Sequence, residues 1–286
     1  GVSKMKQLKW SILYLTLVFI FLFLPIAYLI FYSFNAGDSM SSFKGFSLVH
    51  FQELFGDTRL IIILLNTFML AFLSALIATV IGIFGAMSIY YLKKRAAKTA
   101  MLSANNVLMV SPDVIIGASF LIFFTFLGNL FSGFGLGFTT VLLSHIAFSI
   151  PIVVLMVLPK LQEMNDSMIS AAYDLGANNW QILTNVILPY LTPGIIAGYF
   201  MAFTYSLDDF AVTFFVTGNG FTTLSVEIYS RARQGISLEI NALSTLVFLF
   251  SLVLVVGYYF ISKDSRKRRG KKRRGALLKW KNSVHF

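Results

Sequence analysis

The sequence predicts an all-α fold: a polytopic membrane protein with six transmembrane helices. Three observations predict it. The 286-residue chain is 57% hydrophobic and 12% charged, about half the charged fraction of a soluble domain. Six separate stretches stay apolar for the roughly 20 residues that a membrane-spanning helix needs. Lys and Arg are abundant in alternate connections, as they are when successive loops lie on opposite sides of a bilayer.

The six spans fall at about 11–34, 60–92, 101–126, 139–158, 192–216 and 242–261. The first is too long for a signal-peptide core and has no small-residue cleavage site after it, so it reads as a retained span. The second exceeds the bilayer thickness and is expected to tilt or protrude. On one side of the membrane lie the N-terminal segment with 3 Lys and Arg, 93–100 with 4, 159–191 with 1 and the C-terminal segment with 11. The other side holds 2 in 35–59, none in 127–137 and 2 in 218–241. Positive charge is retained inside, so both termini are expected in the cytoplasm of a prokaryotic cell with this chain multi-pass in its plasma membrane.

Residues 1–264 read as one transmembrane domain and 265–286 as a basic tail, "SRKRRGKKRRGALLKWKNSVHF". In isolation such a run matches nucleic-acid-binding patterns. Directly after a last span it reads as an anchor to anionic membrane lipid, and no nucleic-acid partner is expected. The chain has no cysteine, which excludes disulfides and thiol chemistry. Its three histidines, His50, His145 and His285, are far apart, and no metal site is expected.

The connection at about 159–191 is the one loop with a helical pattern of its own. Asn165 or Asp166 is placed to cap a short helix, 167–175, that Gly176 ends. Asn178 then starts a second helix expected to stop before Pro189. Met168, Ala171, Ala172 and Leu175 fall on one face of the first, and Ile182, Val186 and Pro189 on one face of the second. Two short amphipathic helices on a cytoplasmic face suit docking to another protein. Lying on lipid headgroups or packing on the bundle suits them as well.

The stretch "SAAYDLGANNWQILTNVILP" resembles the cytoplasmic signature of binding-protein-dependent ABC importer permeases: E-A-A, three residues, G, nine residues, I, one residue, L-P. Ala171, Ala172, Gly176, Leu188 and Pro189 match, while Ser170 replaces Glu and Val186 replaces Ile. "VSPDVIIGAS" from Val110, "LLSHIAFSIP" from Leu142, "SLDDFAVTFFVTG" from Ser206, "IYS" from Ile228 and "INAL" from Ile240 are similar to the spermidine/putrescine permeases, in particular the second of their two permease subunits. The likeness runs to about Asp264.

The resemblance implies a type I ABC importer permease fold and a set of partners: a homologous second permease subunit, two ATPase subunits, and an extracytoplasmic polyamine-binding protein. It implies that Ser170, Ala171, Ala172, Asp174 and Gly176 contact an ATPase subunit, whose closure rocks the bundle. The sequence contains no G-x-x-x-x-G-K-[ST] phosphate cradle. No cofactor is therefore expected in this chain, which is not itself an enzyme; ATP and Mg belong to the partner subunits.

Charged side chains inside spans are expensive and mark pathways or internal pairs. Asp113 follows Pro112, which is expected to kink the third span. It reads equally as a cation contact or as a structural acid at the kink. His145, with Ser144 and Ser149 nearby, reads as a packed hydrogen-bonding residue rather than a proton relay. In the fifth span Gly194, Gly198, Ala202 and Ser206 make a small-residue stripe that lets another helix approach. Asp208 and Asp209 follow. On one helix they point about 100° apart, Asp209 beside Tyr205 and Ser206 and Asp208 beside Thr204. Asp208, Asp209, Asp113, Tyr205 and Ser206 are the candidate substrate pathway, with Phe210, Phe214 and Phe215 as aromatic walls. The competing reading makes the two aspartates ties between helices. For the whole protein, a permease for another solute such as thiamine or chelated iron, or a self-sufficient carrier, stands beside the polyamine permease; the loop signature disfavours the carrier.

Overall fold

A computed structural model describes residues 2–131, 133–235, 237–253 and 256. The chain is helical, with one isolated β-bridge, Asn35 with Phe46, among the described residues. The basic tail at 265–286 and the end of the sixth expected span lie outside the described residues.

The helices divide into two units. One comprises residues 1–57 and 232–286. It holds α1 (Val2–Ser33), α2 (Val49–Gly56) and α12 (Leu238–Val253). The side chain of Asn35 organises the loop after α1. Its amide donates to the Ser39 and Ser42 carbonyls at 2.9 Å each, and its oxygen accepts the Lys44 N–H at 2.7 Å. Thr245 of α12 donates to Ser33 Oγ at 3.2 Å.

The other unit, residues 58–231, carries the candidate site. It contains α3 (Thr58–Tyr91), α4 (Arg95–Val110), α5 (Asp113–Leu130), α6 (Phe138–Glu163), α7 (Ser167–Asp174), α8 (Asn179–Ile182), α9 (Leu188–Asp208), α10 (Ala211–Val216) and most of α11 (Leu224–Gln234). A π-helical turn, Leu183–Ile187, joins α8 to α9 without a break. Five helical stretches are long and apolar enough to cross a membrane: Trp10–Ser33, Thr58–Tyr91, Asp113–Leu130, Phe138–Glu163 and Asn179–Asp208; the apolar Leu238–Val253 is the shorter sixth.

Three of the sequence-based boundaries are corrected. The stretch expected as one kinked span at 101–126 is two helices. Proline lacks an N–H and forces the residue before it out of the α region. Ser111 and Pro112 are accordingly extended, α4 stops at Val110, and α5 restarts at Asp113. The second loop helix does not stop before Pro189. The π turn absorbs the proline, and the helix continues into the bundle. The span expected at 192–216 ends at Asp208, and Asp209 is extended before α10 begins.

Small residues set the closest helix contacts of the core. α6 runs between α3 and α9, and its Val153 is wholly buried between two glycines. A Cβ on Gly82 of α3 would lie 2.6 Å from the Val153 side chain, and one on Gly198 of α9 would lie 3.3 Å from the Val153 Cα. The α9 stripe of Gly194, Gly198, Ala202 and Ser206 is buried throughout, as its spacing predicts. In a bilayer, where lipid is as apolar as leucine, close backbone approach supplies the packing that holds helices together. Gly82→Val is therefore expected to lower stability by about 1–3 kcal/mol through overpacking. The check is the thermal midpoint of the detergent-solubilised protein; a midpoint equal to wild type contradicts this account of the α3–α6 contact.

Candidate functional site

Two helix breaks carry the acids. At the first, Asp113 sits in the opening turn of α5, where a carboxylate is favoured by the unpaired N–H groups of the helix start. It is exposed. Tyr205, on the last turn of α9, donates its hydroxyl to Asp113 Oδ1 at 3.0 Å, and its ring packs edge-on against Phe148 at 5.1 Å. The sequence neither paired these two residues nor separated them: they are 92 positions apart. An open recess of about 560 Å³ adjoins this break, lined by Ser103, Asn106, Val107, Val110, Ser111 and Pro112.

At the second break the two adjacent aspartates part company. Asp208 ends α9 and is exposed. Asp209 turns inward, and its side chain is only 6% exposed. Its carboxylate accepts the Val212 N–H at 3.3 Å, the Thr213 N–H at 2.8 Å and the Thr213 hydroxyl at 2.7 Å. An Asp side chain that takes the first free N–H groups of a helix is what starts that helix. The expectation that both aspartates ride one continuous helix is thus corrected, and the 100° argument ends at Asp208. The motif D-F-A-V-T was a signal for this: an acid three and four residues ahead of two N–H groups at an apolar helix start. Ser225 also donates to the Asp209 carbonyl, at 2.6 Å.

Ser206 is buried. It lies 2.6 Å from Nδ1 of His145, which is fully buried in α6, and it accepts from Ser74 of α3 at 3.0 Å. The sequence reads His145 as a packed, hydrogen-bonding residue, and so it is, but its partners Ser206 and Thr213 were not foreseen. Phe210, Phe214 and Tyr229 form an aromatic group that begins just after the second break, with Phe210 and Tyr229 ring centroids 4.6 Å apart and Phe214 and Tyr229 5.9 Å apart. Tyr229 was not singled out from the sequence.

The connection between α6 and α9 is held open as a wedge. Asn165 Oδ1 accepts the Ser167 N–H at 3.0 Å and starts α7. At its end Gly176 has φ +79°, the Gly176 N–H bonds the Tyr173 carbonyl at 2.8 Å, and the Ala177 N–H bonds Ala172 at 3.0 Å. That pattern is a Schellman motif. Asn178 and Gln181 cap α8 reciprocally at 2.9 Å. Tyr173 reaches across the turn to Asn179 at 2.7 Å.

Ile169 and Ala172 of α7 pack against the core, while Met168, Ala171 and Leu175 of the face marked by the sequence are exposed. Ser170, Ala171 and Asp174 are exposed, as are Leu175 at 88% and Trp180 at 70%. On α8 and the π turn, Ile182 and Ile187 are buried and Pro189 is exposed.

An apolar helix bundle with acids at two helix breaks and an apolar-tipped connection between two of its long helices suits a membrane transport permease. The chain belongs to the family described as binding-protein-dependent transport system inner membrane component, whose model matches residues 78–267. It is 35% identical over 257 residues to the spermidine/putrescine transport system permease protein PotC of Shigella flexneri, covering 90% of this chain and 95% of that one. It is 31% identical to the putrescine transport system permease protein PotI of Escherichia coli K12, covering 91% and 93%. Its fold is similar to a chain of a bacterial ABC transporter involved in import of the acidic polysaccharide alginate, with TM-score 0.71 at 20% identity over 91% of this chain and 96% of that chain. It is also similar to a chain of the methionine ABC transporter MetNI, with TM-score 0.56 at 20% identity over 70% and 94%. The fold is that of the type I ABC importer permeases.

Proposed function

We propose that this chain is the membrane-spanning permease subunit of an ATP-driven importer of polyamines, paired with a homologous second permease, driven by two ATPase subunits and supplied by an extracytoplasmic polyamine-binding protein. The observation that carries the reading is likeness along nearly the full chain to permeases named for spermidine and putrescine. The site chemistry supports it. A polyamine is a chain of ammonium groups separated by methylenes. It needs carboxylates spaced apart with aromatic surface between them. Asp113 and Asp208 are exposed acids at separate helix breaks, with Tyr205 bonded to Asp113 and Phe210, Phe214 and Tyr229 grouped just after the second break. Asp208, Asp113 and Tyr205 are the cation contacts in this reading, while Asp209 and Ser206 serve the pathway by holding the break in shape.

The wedge of α7 and α8, with Ser170, Ala171, Ala172, Asp174 and Gly176, is the surface that meets an ATPase subunit, and it lies on the cytoplasmic side with both termini. ATP and Mg are bound by those subunits, and this chain holds no cofactor.

The test is reconstitution. Alone in vesicles the chain is expected to take up no spermidine and to hydrolyse no ATP. Together with the second permease, two ATPase subunits and the binding protein it is expected to import labelled spermidine in an ATP-dependent way. ATP turnover by the purified chain alone, or a full complex that ignores spermidine and putrescine, contradicts the proposal.

A further inference from the structure

Buried in the second unit is a hydrogen-bond chain that the cation contacts do not use. His145 on α6 is fully buried. Its Nδ1 meets Ser206 Oγ at 2.6 Å and its Nε2 meets Thr213 Oγ1 at 2.8 Å. Ser206 belongs to the last turn of α9 and Thr213 to α10, so one imidazole ring bridges the two sides of the Asp209 break.

With a neutral imidazole the chain runs in one direction. Ser74 donates to Ser206 at 3.0 Å. The Ser206 proton is then free for His145 Nδ1, which accepts when the imidazole is neutral and protonated at Nε2. Nε2–H donates to Thr213 Oγ1, and Thr213 donates to Asp209 Oδ2 at 2.7 Å. Every hydroxyl gives one proton onward, and the chain ends on a carboxylate that accepts three hydrogen bonds. A buried network satisfied in this way holds its members in place, because breaking a link leaves a donor or acceptor unpaired in an apolar interior.

We propose that His145 is the positioning residue of the α9–α10 break: it touches no cation, and it fixes the directions of Tyr205 and Asp208 by tying Ser206 on one side of the break to Thr213 and Asp209 on the other. Tyr205 precedes Ser206 and Asp208 precedes Asp209, so each exposed contact residue is the chain neighbour of a residue held by the ring or by the Thr213 link. This deepens the polyamine reading and rests on it for the consequence in transport.

The test uses the assembled importer with partner chains freed of cysteine. This chain has no cysteine, so spin labels at Phe200→Cys on α9 and Phe214→Cys on α10 report the break; because Phe214 belongs to the aromatic group of the pathway, uptake is measured on unlabelled chains that keep it. Three variants are compared with wild type. His145→Gln places an amide oxygen and an N–H where the ring has its acceptor and donor. His145→Leu removes both. Thr213→Val severs the link at its far end while keeping shape, and it decides the matter if His145→Leu does not assemble.

The label-to-label distance is expected to be narrow in wild type and His145→Gln and broad in the other two, whose maximal spermidine uptake falls by about tenfold, the scale set by one lost buried hydrogen bond. Unchanged narrow distances in Thr213→Val overturn the proposal, as does a His145→Gln variant as broad as Thr213→Val. The distance measurement needs no substrate. If the labelled complex shows the expected distances but the unlabelled wild-type complex imports no polyamine, the transport reading is refuted and the positioning role stands.

Discussion

Gly176→Val is expected to uncouple the importer while leaving the chain in the membrane. At φ +79° glycine carries no steric penalty, whereas a β-branched residue is strongly disfavoured. A left-handed backbone costs an ordinary residue on the order of 1–2 kcal/mol, and valine pays at least that. Space is not the difficulty, since no atom lies within 4 Å of the position a Cβ would take. The strain acts on the Schellman turn, where Gly176 and Ala177 close the end of α7. Opening it swings α7 away from α8 and disrupts the surface that carries Leu175 and Trp180. The spans do not depend on that turn, so insertion should be normal. The measurement is recovery of ATPase subunits on the tagged permease, with spermidine uptake alongside. Both should fall about tenfold, which corresponds to the middle of that range. Recovery at wild-type level with normal uptake removes the wedge from the coupling pathway.

The second large effect separates two neighbouring aspartates. Asp208→Asn keeps size and hydrogen-bonding capacity and removes charge from an exposed side chain. It should leave the complex intact and lower polyamine uptake by about ten- to a hundredfold, the range of one lost charge-assisted contact. Asp209→Asn should act differently. Its carboxylate accepts three hydrogen bonds while 6% exposed, and an amide has one acceptor oxygen where these need two. The start of α10 is left with an unpaired N–H or hydroxyl, so thermal stability and complex yield should fall along with uptake. Size-exclusion yield and uptake measured together on both variants decide the case. Normal import by Asp208→Asn takes Asp208 out of the pathway. An Asp209→Asn variant as stable as wild type removes the capping role assigned to it here.

Local patterns carried far in this chain where one residue type dominates its own surroundings. Gly176 ends α7, Asn178 opens α8, and the four-residue stripe from Gly194 to Ser206 is buried, each as its spacing predicts. Proline was read correctly as a disturbance and misjudged in degree. Pro112 stops a helix that it was expected to kink, while Pro189 is passed by a helix it was expected to stop. The difference lies in what surrounds each. Next to Pro112, Asp113 offers a new helix start, whereas the π turn before Pro189 re-pairs the backbone between two buried anchors, Ile182 and Ile187.

By itself the sequence determined the all-α class, the number of spans and the loop that forms the wedge, because each follows from hydropathy and turn chemistry within a few residues. Its resemblance to a known family supplied the expected partners. Only the tertiary structure decided which acid is available. Asp208 and Asp209 are the same residue type in adjacent positions; the local D-F-A-V-T pattern offers Asp209 as a helix start, but only the break after Asp208 makes that start available. The distinction comes from His145, Thr213 and the free N–H groups of α10, which draw one carboxylate inward. Tyr205 and Asp113 meet for the same kind of reason: two helix breaks, set 92 residues apart in the chain, are brought together in the folded bundle.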